Sequence, residues 1–275
     1  MNRSTATAIG AGSVAALVAL SAYAASVEAW NLLVVSWAAF GAMALAAPLG
    51  AWSRAEHAEG LVWGYGLASG AMVTSAAVFL VPQALGHHPQ FGGFGIAFGI
   101  LAGFAAHTVG HRFAHMEFPV DRTVTELSAH AVSAGAIIGI VYGNIDVGVG
   151  LGLAIVSHKG PAGYAAARRL SGRGESVAPL LLPAAGLGIA AIISSAVSLP
   201  ATDAFRGVVF GFASGVFLHV AMDFLPRCEI GSEIHELLSV EDGHAHAILD
   251  RLRVHAALST GVGGLAVFAA WLVLN

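Results

Sequence analysis

Glu126-Leu127-Ser128-Ala129-His130-Ala131-Val132-Ser133-Ala134-Gly135-Ala136-Ile137-Ile138-Gly139 reads as a helix made for lipid, yet it carries a carboxylate and an imidazole. A second apolar stretch contains Ser157-His158-Lys159-Gly160-Pro161-Ala162-Gly163. An ionisable group inside a membrane helix is costly and marks an ion path, a proton relay or a buried ion pair. The fold therefore turns on whether these stretches cross a bilayer.

Composition answers that. The 275 residues are 57% hydrophobic and 10% charged, with 35 glycines. A soluble domain carries about 25% charged residues, so the chain reads as an all-α, polytopic membrane protein. Abundant Gly and Ala suit helices whose backbones approach closely in lipid. Cys228 is the single cysteine, which excludes an intrachain disulfide and a thiolate cluster. Any metal chemistry falls to oxygen ligands and the 13 histidines. Nothing in the charge balance points to nucleic acid; the partners implied are the lipid bilayer and an ion.

Nine spans near the roughly 20 residues needed to cross the hydrocarbon are expected, at about 6–25, 31–51, 61–85, 92–112, 124–143, 148–168, 177–198, 206–225 and 254–274. The arginines agree with that number. Arg3, Arg54, Arg112, Arg122, Arg168, Arg169, Arg173, Arg227, Arg251 and Arg253 fall on one side of a nine-span chain. Arg206 alone falls on the other, and Lys159 lies within a span. The positive-inside rule then puts the N-terminus in the cytoplasm and the C-terminus outside, as expected for a plasma-membrane protein. Residues 1–28 form an extra N-terminal helix, or a signal peptide ending near Ala22-Tyr23-Ala24. Residues 29–275 form the eight-helix remainder. Its longest loop, 226–253, is cytoplasmic, and Ile230, Ile234, Leu237 and Leu238 are spaced as a short interfacial helix. His244 and His246 in that loop read as weak metal collectors or as a solvated polar surface.

Polar residues within the spans are the candidate site. His107, His111 and His115 are spaced i, i+4, i+8 and form one stripe down the fourth span; the latter two also fit the headgroup level beside Arg112. Glu126 and His130 share a face of the fifth span. His158 precedes Pro161, whose ring removes a helix hydrogen bond and frees the carbonyl of Ser157; such breaks are tolerated where they line a cavity or meet an ion. Lys159 reads as a charge counterweight with Glu126, Asp223 or Asp146 for partner. His219 and Asp223 share a face of the eighth span. No His-Glu-x-x-His, phosphate-binding loop or Gly-x-Ser-x-Gly elbow is present, so no catalytic residues are assigned and the chain reads as a non-enzyme.

Taken together, spans two to nine resemble the eight-helix core of the ZIP family of divalent metal transporters. The fifth span is similar to that family's His-Asn-x-x-Asp-Gly-x-x-Ile-Gly, with His130, Gly135, Ile138 and Gly139 in register. The sixth is similar to His-Glu-x-Pro-Glu-Gly, with His158, Pro161 and Gly163. The third keeps Ala68-Ser69-Gly70 and ends Leu80-Val81-Pro82-Gln83, and the eighth follows Gly-x-x-x-Gly-x-Phe-Leu-Tyr-Val-Ala-x-x-Asp-x-Leu-Pro with His219 for tyrosine. The resemblance implies a binuclear metal centre midway through the membrane and inward transport by alternating access. Departures cluster at that centre: Ala131, Ala134 and Ala162 stand at polar or acidic positions, and Lys159 and Gln83 replace acids. His130 and His158 survive, to be completed by His219 or Asp223 and by His107 or Glu126, and Lys159 would stand in for the second ion. One ion among nitrogen donors favours zinc over manganese, with iron or manganese as the alternatives.

Three functions compete at this stage: a metal-ion transporter, a relative that has lost transport and has a structural or sensing role, and a membrane-embedded metal hydrolase. Gly99/Gly103 and Gly207/Gly211/Gly215 allow tight packing within one chain or in a homodimer.

Overall fold

The computed structural model describes residues 3–52, 58–113, 121–144, 149, 152, 156–198, 200, 202–225 and 245–274. They form ten helices: α1 (Arg3–Ser26), α2 (Trp30–Trp52), α3 (Ala58–Ser75), α4 (Val81–His87), α5 (Pro89–Phe113), α6 (Arg122–Asn144), α7 (Lys159–Gly172), α8 (Leu181–Ser194), α9 (Asp203–Asp223) and α10 (Ala245–Leu274). A π turn, Ala76–Leu80, joins α3 to α4, and a 3-10 turn, Ala178–Leu180, leads into α8. No strand occurs among the described residues.

Among the described residues, seven helical stretches are long and apolar enough to span a bilayer, with Glu59–His87 counted as one. They coincide with seven of the nine expected spans. The seventh expected span is the shorter apolar helix Ala178–Ser194, and the sixth, 148–168, lies partly outside the described residues. The outward surface fits lipid: Leu45 is 75% exposed, Trp52 81% and Val273 85%, more apolar exposure than a water-facing helix bundle presents. The chain is an all-α, multi-pass membrane protein.

The helices fall into two groups. In one, α6 and α8 pack together, α2 packs on α7 and α8, and α1 lies along α8. In the other, α9 packs on α5 and α4, and α3 packs on α10. Between groups, α7 meets α3, while α6 touches α9 only sparsely. In lipid the tails are as apolar as leucine, so close packing rather than the hydrophobic effect holds helices together. Gly135 and Gly139 show it, since a Cβ on either would overlap a backbone carbonyl oxygen of α8, Leu187 and Ala191 respectively. Ser194 Oγ reinforces that seam by donating to the Ala136 carbonyl at 2.9 Å.

α1 belongs to the bundle. Leu17 is fully buried, Ser13 Oγ donates to the Leu181 carbonyl at 3.2 Å, and Trp37 Nε1 donates to Ser21 Oγ at 3.0 Å. Glu28 makes the tight exit from α1 at φ 59°.

Charged pairs gather at one end. Arg251 pairs with Glu59, Arg173 with Asp121 at 3.4 Å, and Arg253 with Asp250 at 2.7 Å. The first joins the start of α3 to α10 and the second the start of α6 to the end of α7, while Arg168 of α7 lies against Gly60 at the start of α3. The last helix starts at Ala245, not near 254, which takes the end of the expected loop into its first turns. The rest of that loop, 226–244, lies outside the described residues.

Candidate metal centre

His130 sits two turns into α6, on the side turned away from the α8 seam. His158 reaches it from a separate break in the chain. Val156 is helical, Ser157 and His158 form a turn, and α7 starts at Lys159 with His158 at its N-cap. The interruption expected from Pro161 at the Ser157 carbonyl is present, as a turn at Ser157–His158. Pro161 occupies the first turn of α7, where its missing N–H costs nothing because helix-start amides have no intrahelical partner.

The break brings the two rings together. His130 Nε2 lies 3.3 Å from His158 Nε2. At that distance one nitrogen carries the proton and the other accepts it. The same spacing suits a shared ion, because two imidazoles on a tetrahedral zinc with bonds of about 2.0–2.1 Å have nitrogens about 3.3–3.4 Å apart. His158 is 1% exposed, and its ring packs edge-on against Phe217 of α9, centroids 5.3 Å apart. A small apolar pocket opens beside His130, lined by Ser133 and Ala134 of α6, Leu80 of the π turn, and Ala213 and Phe217 of α9. The pair therefore belongs to one helix group, and the wall it faces belongs to the other.

Lys159 follows His158 directly and is 1% exposed. Its Nζ is buried with no hydrogen-bond partner among the described residues. Two of its three expected partners are engaged elsewhere: Glu126 with Arg122 at 2.6 Å, and Asp223 with His219 at 3.4 Å. The third, Asp146, lies outside the described residues.

The remaining expected ligands are not all drawn in. Glu126 is paired with Arg122 one turn earlier and its side chain is 57% exposed, so the structure does not bring it to the histidine pair. His219 and Asp223 do share a face, as their spacing requires, but that face is turned to α5. A Cβ on Gly103 would lie 2.7 Å from His219 Cδ2. Two residues separate His219 from Phe217, about 200° around a helix of 3.6 residues per turn, so His219 and the wall of the pair lie on different sides of α9. The side chains of His107 and His111, all of His115, and the side chains of His244 and His246 lie outside the described residues. Among the described residues no three His, Cys, Asp or Glu side chains converge as a metal site.

Sequence spacing did not single out Phe217, which fixes the His158 ring, or the π turn that brings Leu80 to the pocket. At that turn the Val81 N–H reaches back to the Ala76 carbonyl, and Pro82 follows with no N–H to give. π turns of this kind often mark functional positions, and Pro82 within an apolar span was the visible signal.

No protein-family model matches the chain, and no characterised protein is similar enough to be matched to it.

Proposed function

We propose that this protein carries a divalent transition-metal ion across a membrane by alternating access, in the manner of the ZIP family its motifs resemble, with zinc the ion its donors favour. The observation that carries the reading is the buried His130–His158 pair, held in one helix group and closed off by Phe217 and Leu80 of the other. Two imidazoles at the spacing of a shared zinc are a plain starting site, and borderline nitrogen donors select zinc over manganese. Sparse contact between α6 and α9 lets the groups move relative to each other and open the pair to either side. The arginine-rich end faces the cytoplasm of a plasma-membrane protein, and the ion travels toward it.

A second reading rests on Lys159. A buried ammonium beside the pair opposes a divalent cation, as expected of a relative that binds metal without transporting it. Uptake of labelled zinc, iron, manganese and cobalt into proteoliposomes separates the two. Saturable zinc flux supports transport, and binding without flux for every ion selects the second reading.

A further inference from the structure

Along most of their length α3 and α10 meet through small residues. A Cβ on Gly66 would overlap Ser259 Oγ, one on Gly70 the Thr260 carbonyl oxygen, and one on Gly263 the Leu67 carbonyl oxygen. At the end where the charged pairs gather, the seam changes character. Glu59 and Trp63 continue the α3 face one and two turns before Gly66, and Arg251 and His255 continue the α10 face before Ser259. Polar side chains replace backbone contact there.

Trp63 Nε1 lies 3.0 Å from His255 Nδ1. An indole nitrogen only donates, so Nδ1 is the acceptor and carries no proton. The geometry thus fixes the tautomer: neutral His255 holds its proton on Nε2, the nitrogen that faces Glu59 Oε1 at 3.8 Å. That separation is too long for a hydrogen bond but within ion-pair reach. Glu59 also pairs with Arg251. Arg168 of α7 reaches the same helix start at Gly60, while Asp250 and Arg253 pair with each other. The side chains of His255 and Glu59 are 28% and 31% exposed, so solvent at this end reaches both.

Protonated imidazole carries a hydrogen on each nitrogen. Nδ1–H would then point at the indole N–H, donor against donor, and the Trp63 bond could not survive. The imidazolium would gain the Glu59 carboxylate instead. Histidine is the side chain that ordinarily changes charge between about pH 5 and 8, so the exchange falls in a range a cell can reach.

We propose that Trp63, His255 and Glu59 form an acid-released latch between α3 and α10: neutral His255 ties the start of α3 to α10 through Trp63, and protonated His255 lets Trp63 go and turns to Glu59. The helical span that begins at Glu59 runs on to His87 and includes Leu80 of the π turn, which lines the pocket beside His130. The latch therefore acts on the same span that walls the histidine pair, and it reads the pH of the compartment at the charged end.

The test uses the full chain, isotope-labelled at tryptophan, in lipid nanodiscs. Its five tryptophans give five indole N–H resonances, and loss of one in Trp63→Phe identifies that of Trp63. Between about pH 8 and about pH 5, the Trp63 resonance is expected to leave its hydrogen-bonded position in a single-proton transition. In His255→Asn, which has no titrating ring, it does not move with pH. Thermal unfolding gives an independent reading: Trp63→Phe lowers the unfolding temperature more at the higher pH than at the lower one, because only there is a bond lost. A wild-type Trp63 resonance that stays in place overturns the latch, and so does one that shifts equally in His255→Asn. An equal cost of Trp63→Phe at both pH values also overturns it. Neither measurement involves metal or flux, so the latch and the transport reading stand or fall separately.

Discussion

Replacing Lys159 by methionine removes a buried positive charge beside the histidine pair and nearly preserves side-chain volume. Lys159 is 1% exposed and adjoins His158, so its charge acts on an ion at the pair through protein rather than through water. Even at a separation of about 10 Å and an effective dielectric of about 20, a divalent ion and an ammonium repel by about 3 kcal/mol. That corresponds to roughly a hundredfold in affinity. Lys159→Met is therefore expected to tighten zinc binding by about two orders of magnitude. It also stabilises the apo protein, because an ammonium without a described partner costs several kcal/mol to keep out of water. Zinc titration of wild type and variant in nanodiscs, followed by thermal unfolding of both without metal, reads the two effects. An unchanged or weaker affinity would refute the placement of the Lys159 charge beside the ion, and a lower unfolding temperature would show that the ammonium has a stabilising partner.

Other substitutions probe neighbouring parts of the account. Lys159→Glu exchanges the opposing charge for a carboxylate beside His158 and should add one zinc to the stoichiometry measured by equilibrium dialysis. Glu126→Gln should leave zinc affinity within about twofold, since that side chain is exposed and paired with Arg122 and exposed ion pairs contribute at most about 1 kcal/mol; a tenfold loss in the same titration would return Glu126 to the site. Gly139→Val pushes a side chain into the Ala191 carbonyl and Ser194 Oγ, and should cost about 1–3 kcal/mol, read as a lowered unfolding temperature in detergent.

What the sequence revealed, and what it did not, follows from the range of each interaction. Spans were legible because hydrocarbon thickness sets a length and lipid sets a composition, and both act residue by residue. The break beside His158 was legible for the same local reason, because Pro161 has no N–H for the Ser157 carbonyl and the helix is interrupted at Ser157–His158. Glu126 was ambiguous because i, i+4 spacing pairs it equally with His130 and Arg122, and its partner in the structure is Arg122. His219 and Asp223 were correctly joined to each other. Which neighbour they face depends on how α9 is rotated against α5, a property of two helices that neither helix encodes alone. Gly135 and Gly139 were noticed as motif letters, and the fold shows their work to be the α6–α8 seam.

The central claim is that His130 and His158 hold the travelling ion. Zinc flux into proteoliposomes, compared between the wild type and the His130→Ala/His158→Ala variant, tests it most directly. Saturable flux in the wild type and background flux in the variant, reconstituted at equal density, is the predicted result. Wild-type flux no greater than that of empty liposomes, or equal flux in the two proteins, would contradict it.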